Sequence, residues 1–255
     1  MLSAETRSIL ALCVLAAIGG VLFGWITVRL RRSPFTPLQS ILYAINYAIA
    51  RVLWRAHTDG PFPLPSTQGA VILCNHRCPL DPSFIALSVP RVVHWMVARE
   101  YCEHPVLGFL LRICGVIPVG RGGVDTAAVK TAIRLAAQGE LVGVFPEGRI
   151  NTSQDILLPG RPGAALIALK AGVPIVPCFI RGSPYDGTSL GCLLMPANVR
   201  LSFGQPIDLS DYAGRETNRQ TLEDLPRRFL REIAKLGGDP NFEPQLAGRF
   251  YKPID

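Results

Sequence analysis

The sequence predicts a single α/β domain with a mostly parallel central sheet flanked by helices, preceded by an N-terminal membrane helix. Short apolar runs bounded by turn residues alternate with helical segments, which is typical of βαβ units. The 255 residues suffice for one sizeable domain plus a membrane segment, but hardly for two full domains. A long uncharged apolar run near the start supplies the membrane helix.

Residues 1–34 are predicted to form the membrane anchor. The run ILALCVLAAIGGVLFGWITV at 9–28 carries no charge, and about 20 such residues cross a hydrocarbon layer of roughly 30 Å. It is too long for a cleavable signal peptide, and no small-residue cleavage site follows. Arginines cluster directly after it, so the rest of the chain is expected on the cytoplasmic side of the inner membrane.

Residues 35–69 are predicted to hold an amphipathic helix and a linker. The stretch PLQSILYAINYAIARVLW at 37–54 mixes aliphatic residues with Tyr and Trp, whose rings favour the headgroup level of a bilayer. Its apolar face could equally pack on the following domain. The sequence leaves both interpretations open.

Residues 70–255 are predicted to form the α/β domain itself. Its strands are expected to be largely buried, because they read as apolar runs rather than as alternating patterns. The runs are VILC at 71–74, VVHWMVA at 92–98, LVGVF at 141–145 and VPIVPCFI at 173–180, with VRLSFGQPI at 199–207 as a late strand. Between them, Asp125 is expected to cap one helix and Gly172 to end another.

The net charge limits the classes of partner that the protein can bind, and the cysteines indicate its cellular compartment. The net charge of +7 suits nucleic acid, an anionic membrane or an anionic substrate. No zinc finger, helix-turn-helix or RNA-binding aromatic motif is present, whereas the basic cluster follows the membrane run, so lipid is favoured and nucleic acid is not expected. The seven cysteines are scattered, which indicates free thiols in a reducing compartment.

The clearest chemical signal is an H-x-x-x-x-D pattern that begins directly after the first buried strand. Pro79 prevents a regular helix between His76 and Asp81, and the resulting turn can bring the carboxylate back to the imidazole. Such a pair is a general base and its orienter, so a substrate hydroxyl could attack a thioester directly. The alternative is an exposed His76 with Asp81 capping the helix that Pro82 opens.

Two arginines follow glycines near predicted strand ends. Arg121 closes GVIPVGR at 115–121, and Arg149 closes FPEGR at 145–149. A guanidinium binds phosphate bidentately, and glycine lets the backbone approach the ligand. Taken singly, either arginine could simply be solvated.

Four ordered blocks, NHRCPLD, GVIPVGR, FPEGR and VPIVPC, together resemble the PlsC-like family of glycerophospholipid acyltransferases. The resemblance extends over roughly residues 70–207 and predicts that residues 70–255 form an acyltransferase domain. It implies that His76 is the catalytic base and Asp81 its partner. It also implies substrate-binding roles for Asn75, Arg121, Glu147, Gly148, Arg149 and Pro174, the last on the acyl-donor side.

The resemblance implies transfer of a fatty acyl group from acyl-CoA or acyl carrier protein to a lysophospholipid, foremost 1-acylglycerol 3-phosphate, without a cofactor or metal. Glycerol 3-phosphate or another lysolipid are alternative acceptors. Two departures leave the acceptor open: many members have threonine between Gly148 and the arginine, and Cys78 stands where serine is common.

Four other functions are compatible with the same residues. Cys78 could be an acylated nucleophile activated by His76. A metal could bind soft ligands, although ligands one residue apart are not the usual zinc spacing. The fold could also carry an inactive lipid-binding protein, or a lipid hydrolase or thioesterase that uses water as acceptor. The candidate metal ligands are Cys74, His76, Cys78, Cys102 and His104.

Overall fold

The computed structural model describes residues 20, 33–120, 125–185, 187–188 and 191–247. The chain divides into two compact units, Met1–Leu42 and Tyr43–Asp255, and the packing described below lies within the second. Apart from residue 20, the predicted membrane helix at 9–28 lies outside the described residues. Among the helices that are described, none combines the length and hydropathy needed to cross a bilayer.

One seven-stranded sheet forms the centre of the domain, in the order β1-β7-β6-β2-β5-β3-β4. Neighbouring strands are parallel except for β6 and β7. The α/β architecture and the mostly parallel sheet are therefore confirmed. The strands are β1 (His57–Asp59), β2 (Ala70–Cys74), β3 (Val93–Ala98), β4 (Ile117–Val119), β5 (Leu141–Val144), β6 (Ile175–Arg181) and β7 (Arg200–Phe203).

Helices connect the strands, and two of their ends lie at capping residues predicted from the sequence. The Asp125 carboxylate accepts a hydrogen bond from the Ala128 amide at 3.0 Å, and Gly172 ends a helix with a left-handed φ of 65°, both as predicted. The α-helices are α1 (Pro37–Val52), α2 (Asp81–Ile85), α3 (Arg99–Cys102), α4 (Pro105–Ile113), α5 (Thr126–Ala137), α6 (Gly163–Ala171) and α7 (Arg219–Leu236), with 3₁₀ turns at Gly191–Leu194 and Ser210–Tyr212.

Strand β2 is buried on both faces, because its side chains alternate between two hydrophobic cores. Val71 and Leu73 pack in the core that α5, α6 and α7 cover. Ile72 and Cys74 pack in the opposite core, with α2 and the end of α1. Every residue of β2 is buried, so a ligand can approach this strand only from the loops at its ends.

The sequence patterns miss the shortest elements. A strand of three residues, such as β1, is too short to show an apolar period. The apolar helix α4 leads through a turn at Gly115 into β4, so helix and strand form nearly one apolar run in the sequence. The short strands β1 and β4 lie at the two edges of the sheet, and the four strands between β7 and β4 match predicted apolar runs.

Candidate active site

The site lies where three loops leave the carboxyl ends of neighbouring strands. His76 follows β2, Phe145 and Glu147 follow β5, and Ser183 follows β6. Strand β2 lies between the other two, and all three run parallel. Their loops therefore meet at one edge of the sheet, the usual position of ligand sites in α/β folds.

The structure brings His76 and Asp81 together in a hydrogen bond. The imidazole Nδ1 lies 3.0 Å from Asp81 Oδ2, and the carboxylate is fully buried. When Nδ1–H donates to this carboxylate, Nε2 carries the lone pair and can accept a proton. The carboxylate also accepts from the amides of Arg77 at 2.7 Å and Cys78 at 2.8 Å.

A tight turn makes this geometry. The Asp81 amide donates to the Cys78 carbonyl at 3.1 Å, across Pro79 and Leu80, which confirms the turn predicted at the proline. The N-cap residue of α2 is Leu80, and no side chain makes a capping hydrogen bond there. The alternative in which Asp81 caps this helix is therefore wrong, because its carboxylate is occupied by donors on the preceding loop.

An aromatic stack fixes the plane of the imidazole. The rings of His76 and Phe145 lie 3.9 Å apart at 10°, and Phe145 stacks in turn on Trp95, with centroids 4.6 Å apart. Glycine is required at position 143, since any Cβ there would collide with the Trp95 indole. The His76 side chain remains 16% exposed, so the ring is held on one face and at Nδ1 while retaining access to solvent.

Glu147 binds the backbone of the loop that carries His76. Its carboxylate, 2% exposed, accepts from the amides of His76 and Leu158, each at 2.8 Å. Burial raises the pKa of Glu147 to about 7, against the two amide donors, which lower it. This residue, predicted to bind substrate, therefore faces protein amides and links β5 to the His76 loop.

Arg77 is a site residue that the sequence analysis did not single out. Its guanidinium donates to the carbonyls of Asn151 at 3.2 Å and Ser153 at 2.7 Å, and also to Asp155. The Asn151 amide donates to the His76 carbonyl at 2.7 Å. Nothing in the sequence distinguishes Arg77 from a solvated arginine, because its partners are main-chain atoms of a distant loop.

Asn75 joins the end of β2 to β6. Its fully buried side-chain amide donates to the Ile180 carbonyl at 2.9 Å and accepts from the Ile180 amide at 2.7 Å. The side chain thereby continues the sheet pairing beyond the last residue of β2. In this position Asn75 supports the loop that carries His76.

Ser183 is a second residue without a signal in the sequence. Its hydroxyl donates to Asp81 Oδ1 at 2.7 Å. The chain turns at Gly182, which has φ 74° and where a Cβ would collide with the Asn198 carbonyl oxygen. A cleft of about 340 Å³ opens beside this contact, with Arg77 and Tyr185 among its lining residues.

The remaining predicted residues lie in three different places. Gly148 is exposed and Arg149 is half-buried, directly after Glu147. Arg121 lies outside the described residues. Pro174 precedes β6, and its carbonyl accepts from the Val71 amide at 3.0 Å, so it lies at the amino edge of the sheet. The structure thus does not bring Pro174 together with His76.

The Cys78 thiol is fully buried, and burial raises its pKa. Because the thiolate is the reactive form, this environment disfavours Cys78 as a nucleophile. Among the described residues, no group of three or more His, Cys, Asp or Glu is arranged to hold a metal ion. The ring of His104 instead accepts from the Leu107 amide at 3.2 Å, as the cap of α4.

The chain is similar to known proteins. A family model described as Acyltransferase matches residues 55–181. The 1-acyl-sn-glycerol-3-phosphate acyltransferase of Bacillus subtilis is 32% identical over 151 residues, which cover 59% of this chain and 72% of that protein. The chain belongs to the PlsC-like acyltransferase family. The range matched by the family model contains His76, Asp81 and Glu147, whereas Ser183 lies just beyond it.

Two further proteins resemble this acyltransferase. The 1-acyl-sn-glycerol-3-phosphate acyltransferase of Streptococcus pneumoniae is 27% identical over 213 residues, 82% of this chain and 75% of that protein. The crystal structure of the 1-acyl-sn-glycerophosphate acyltransferase PlsC from Thermotoga maritima superposes with a TM-score of 0.59 at 20% identity, covering 91% of this chain and 97% of that one. That structure shares the fold with this chain. The family model and the two named relatives show that the chain is an O-acyltransferase.

Proposed function

We propose that this acyltransferase moves a fatty acyl group from the thioester of acyl-CoA or acyl carrier protein to the free hydroxyl of 1-acylglycerol 3-phosphate. The observation that carries the proposal is His76, whose Nδ1 is bonded to the buried Asp81 at 3.0 Å while the ring keeps access to solvent. The Bacillus and Streptococcus relatives carry the name of this activity.

The chemistry is a direct transfer. Nε2 of His76 accepts the proton of the acceptor hydroxyl as its oxygen attacks the thioester carbonyl, and Asp81 stabilises the resulting imidazolium. When the tetrahedral intermediate collapses, the carbon–sulfur bond breaks and the thiolate takes the proton from the imidazolium. The products are an ester and a free thiol, and the enzyme returns to its starting protonation state.

The acceptor's phosphate is assigned to Arg149 and Arg121. Arg149 is half-buried and follows the exposed Gly148, directly beside the Glu147 that holds the His76 loop. A guanidinium here can bind phosphate bidentately while the adjacent glycine leaves room for the ligand. The phosphate would then be held on a loop that is tied to the base.

Arg149→Ala is expected to raise the acceptor KM roughly ten- to a hundredfold, with the donor KM little changed, because a charge-assisted contact contributes about 1.5–3 kcal/mol. Arg121→Ala is expected to behave alike, and lysine at either position to recover part of the loss. Arg134→Ala, which removes an exposed arginine on α5, is the matched control. A higher donor KM with an unchanged acceptor KM would assign the arginines to the donor's phosphates instead.

An acceptor screen tests the function itself. The full chain in membranes is supplied with labelled acyl-CoA or acyl carrier protein and with 1-acylglycerol 3-phosphate, glycerol 3-phosphate or a neutral lysolipid, and products are identified by mass spectrometry. We expect the diacylated phosphate from 1-acylglycerol 3-phosphate. Release of free fatty acid in place of an acylated lipid would favour a hydrolase or thioesterase.

We further propose that the enzyme works at the membrane surface, with its catalytic domain on the cytoplasmic side. Helix α1 packs on the domain through the buried Ala50, and its Asn46 side chain donates to the Ser83 carbonyl at 2.8 Å. Its other face exposes Ile45 by 52% and Val52 by 80%. An amphipathic helix held in this way can lie in the interface between lipid and water.

The membrane proposal is tested by flotation with anionic vesicles. Removal of residues 1–34 is expected to convert tight binding into weaker, peripheral binding, because α1 still presents its apolar face. The same truncation carrying Ile45→Glu and Val52→Glu is expected to lose this residual binding. If the truncated protein resists alkaline carbonate extraction as well as the full chain does, the anchor has been misplaced.

A further inference from the structure

We infer that Ser183 is a positioning residue for the transfer reaction: its hydroxyl holds the Asp81 carboxylate in the orientation that aligns His76. This inference rests on the proposed role of His76 as the base. Ser183 lies 102 positions from Asp81 in the chain and belongs to the loop after β6. It would connect the strand of the fourth sequence block to the reacting groups of the first.

The two oxygens of the Asp81 carboxylate have different partners. Oδ2 accepts from the Nδ1 of His76 and from two backbone amides of the same loop. Oδ1 accepts from the Ser183 hydroxyl at 2.7 Å. One oxygen is therefore held by the His76 loop and the other by a separate strand.

This second contact matters because Asp81 is fully buried. A buried carboxylate oxygen without a donor is costly, and the terminal torsion of an aspartate is broad and roughly twofold. Without the hydroxyl, the free energy of the carboxylate is lowered if it rotates so that both oxygens share the remaining amide donors. Such a rotation moves Oδ2 away from Nδ1, and the imidazole loses both its alignment and part of its charge stabilisation.

The local backbone presents Ser183 at this point. Asn75 ties the end of β2 to Ile180, which lies within β6, and the chain then turns at Gly182. The serine is half-buried at the edge of the 340 Å³ cleft. A water molecule could enter from this cleft if a smaller side chain replaced the serine, so the test needs a substitution that fills the space.

The test compares Ser183→Thr with Ser183→Val, two side chains of the same shape of which only threonine carries a hydroxyl. The valine variant is expected to lower kcat about tenfold or more, with both KM values unchanged, and the threonine variant to keep most of kcat. Ser202→Ala is the matched control. The Ser202 hydroxyl donates to the Asp59 carboxylate at 2.8 Å. Removing this other serine–aspartate hydrogen bond is expected to leave kcat unchanged.

A double-mutant cycle separates positioning from a merely structural role. In an Asp81→Asn background, the valine and threonine variants are expected to have the same residual kcat, because the group that Ser183 orients has lost its charge. Equal kcat for the folded valine and threonine variants in the native background would overturn the inference, as would the same fold-loss in both backgrounds. If the valine variant does not fold, Ser183→Cys, whose thiol fills the space but is only a weak donor, is compared with the threonine variant by the same criteria.

The positioning role of Ser183 and the role of His76 as the base are tested by separate variants. If His76→Ala retains turnover, the base has been misassigned, whatever Ser183 does. If His76→Ala is inactive but the valine and threonine variants at 183 are equally active, the base stands and Ser183 has no positioning role.

Discussion

Two arginines make the same kind of contact at opposite edges of the sheet. At the carboxyl edge, Arg77 donates to three carbonyls of the loop over 151–155. At the amino edge, Arg91 donates to three carbonyls in the loops that precede β2 and β5. In both places a guanidinium with several fixed donors satisfies loop carbonyls.

The two edges differ in what else they contain. At the carboxyl edge, four further polar side chains are buried around His76, namely Asn75, Asp81, Glu147 and Asn151. The amino edge instead encloses a cavity of about 300 Å³ lined largely by aliphatic residues and prolines, Pro174 among them. Burying polar groups is costly unless each finds a partner. The concentration of such groups at one edge therefore marks where the chain maintains a defined geometry for chemistry.

The largest expected effect falls on His76. His76→Ala is expected to lower kcat by at least about 10²- to 10⁴-fold while the protein stays folded, because it removes a positioned general base. His94→Ala is the matched control, since His94 contacts the Gly115 carbonyl at 2.6 Å, away from the carboxyl-edge cluster. Turnover and thermal unfolding are measured on both. Equal turnover in the two variants would show that His76 contributes no more to catalysis than His94 does.

The next effect is a difference between the variants of Arg77 and Arg91. Arg77→Ala and Arg91→Ala are each expected to lower the free energy of unfolding by about 2 kcal/mol, because carbonyl groups lose a charged donor. Only Arg77→Ala is expected to lower kcat as well, by about tenfold, since the loop that it holds is bonded to the His76 carbonyl. Urea unfolding and steady-state kinetics on both proteins decide this. A comparable loss of kcat in Arg91→Ala would contradict it.

The last expected effect concerns the pH dependence of the free energy of unfolding, through Glu147. Its pKa is raised from 4.5 to about 7 in the folded protein, so between these values the folded state holds a proton that the unfolded chain has released. This group's contribution to the free energy of unfolding therefore falls as pH rises from about 4.5 to 7, by up to about 3 kcal/mol, and is constant above 7.

Glu147→Gln cannot titrate, so it is expected to lack that decline in urea unfolding measured between pH 5 and 8. It is also expected to lower kcat, because an amide can accept from only one of the two N–H groups that the carboxylate now satisfies. An identical pH slope in the variant and the native protein would show that the carboxyl is not buried with a raised pKa.

Local signals in the sequence were enough to predict the centre of the site. The strand, the proline turn and the spacing of His76 and Asp81 all lie within one short segment. Ser183, Trp95 and Arg77 were missed, because their contacts depend on which distant loops the strand order brings together. Asn75 and Glu147 were predicted to bind substrate, and the structure shows their side chains bonded to protein amides and carbonyls. A motif identifies such residues but does not reveal their partners.

The most direct test asks whether the acyl group passes from donor to acceptor without an acyl-enzyme intermediate. Rapid mixing of the enzyme with acyl-CoA in the absence of acceptor is expected to give no burst of free thiol, because His76 activates only the acceptor hydroxyl. Cys78→Ser is expected to behave identically and to keep kcat within about twofold, since the Cys78 thiol is buried and its pKa is raised. A burst of one thiol per enzyme, with the acyl label on Cys78, would contradict direct transfer.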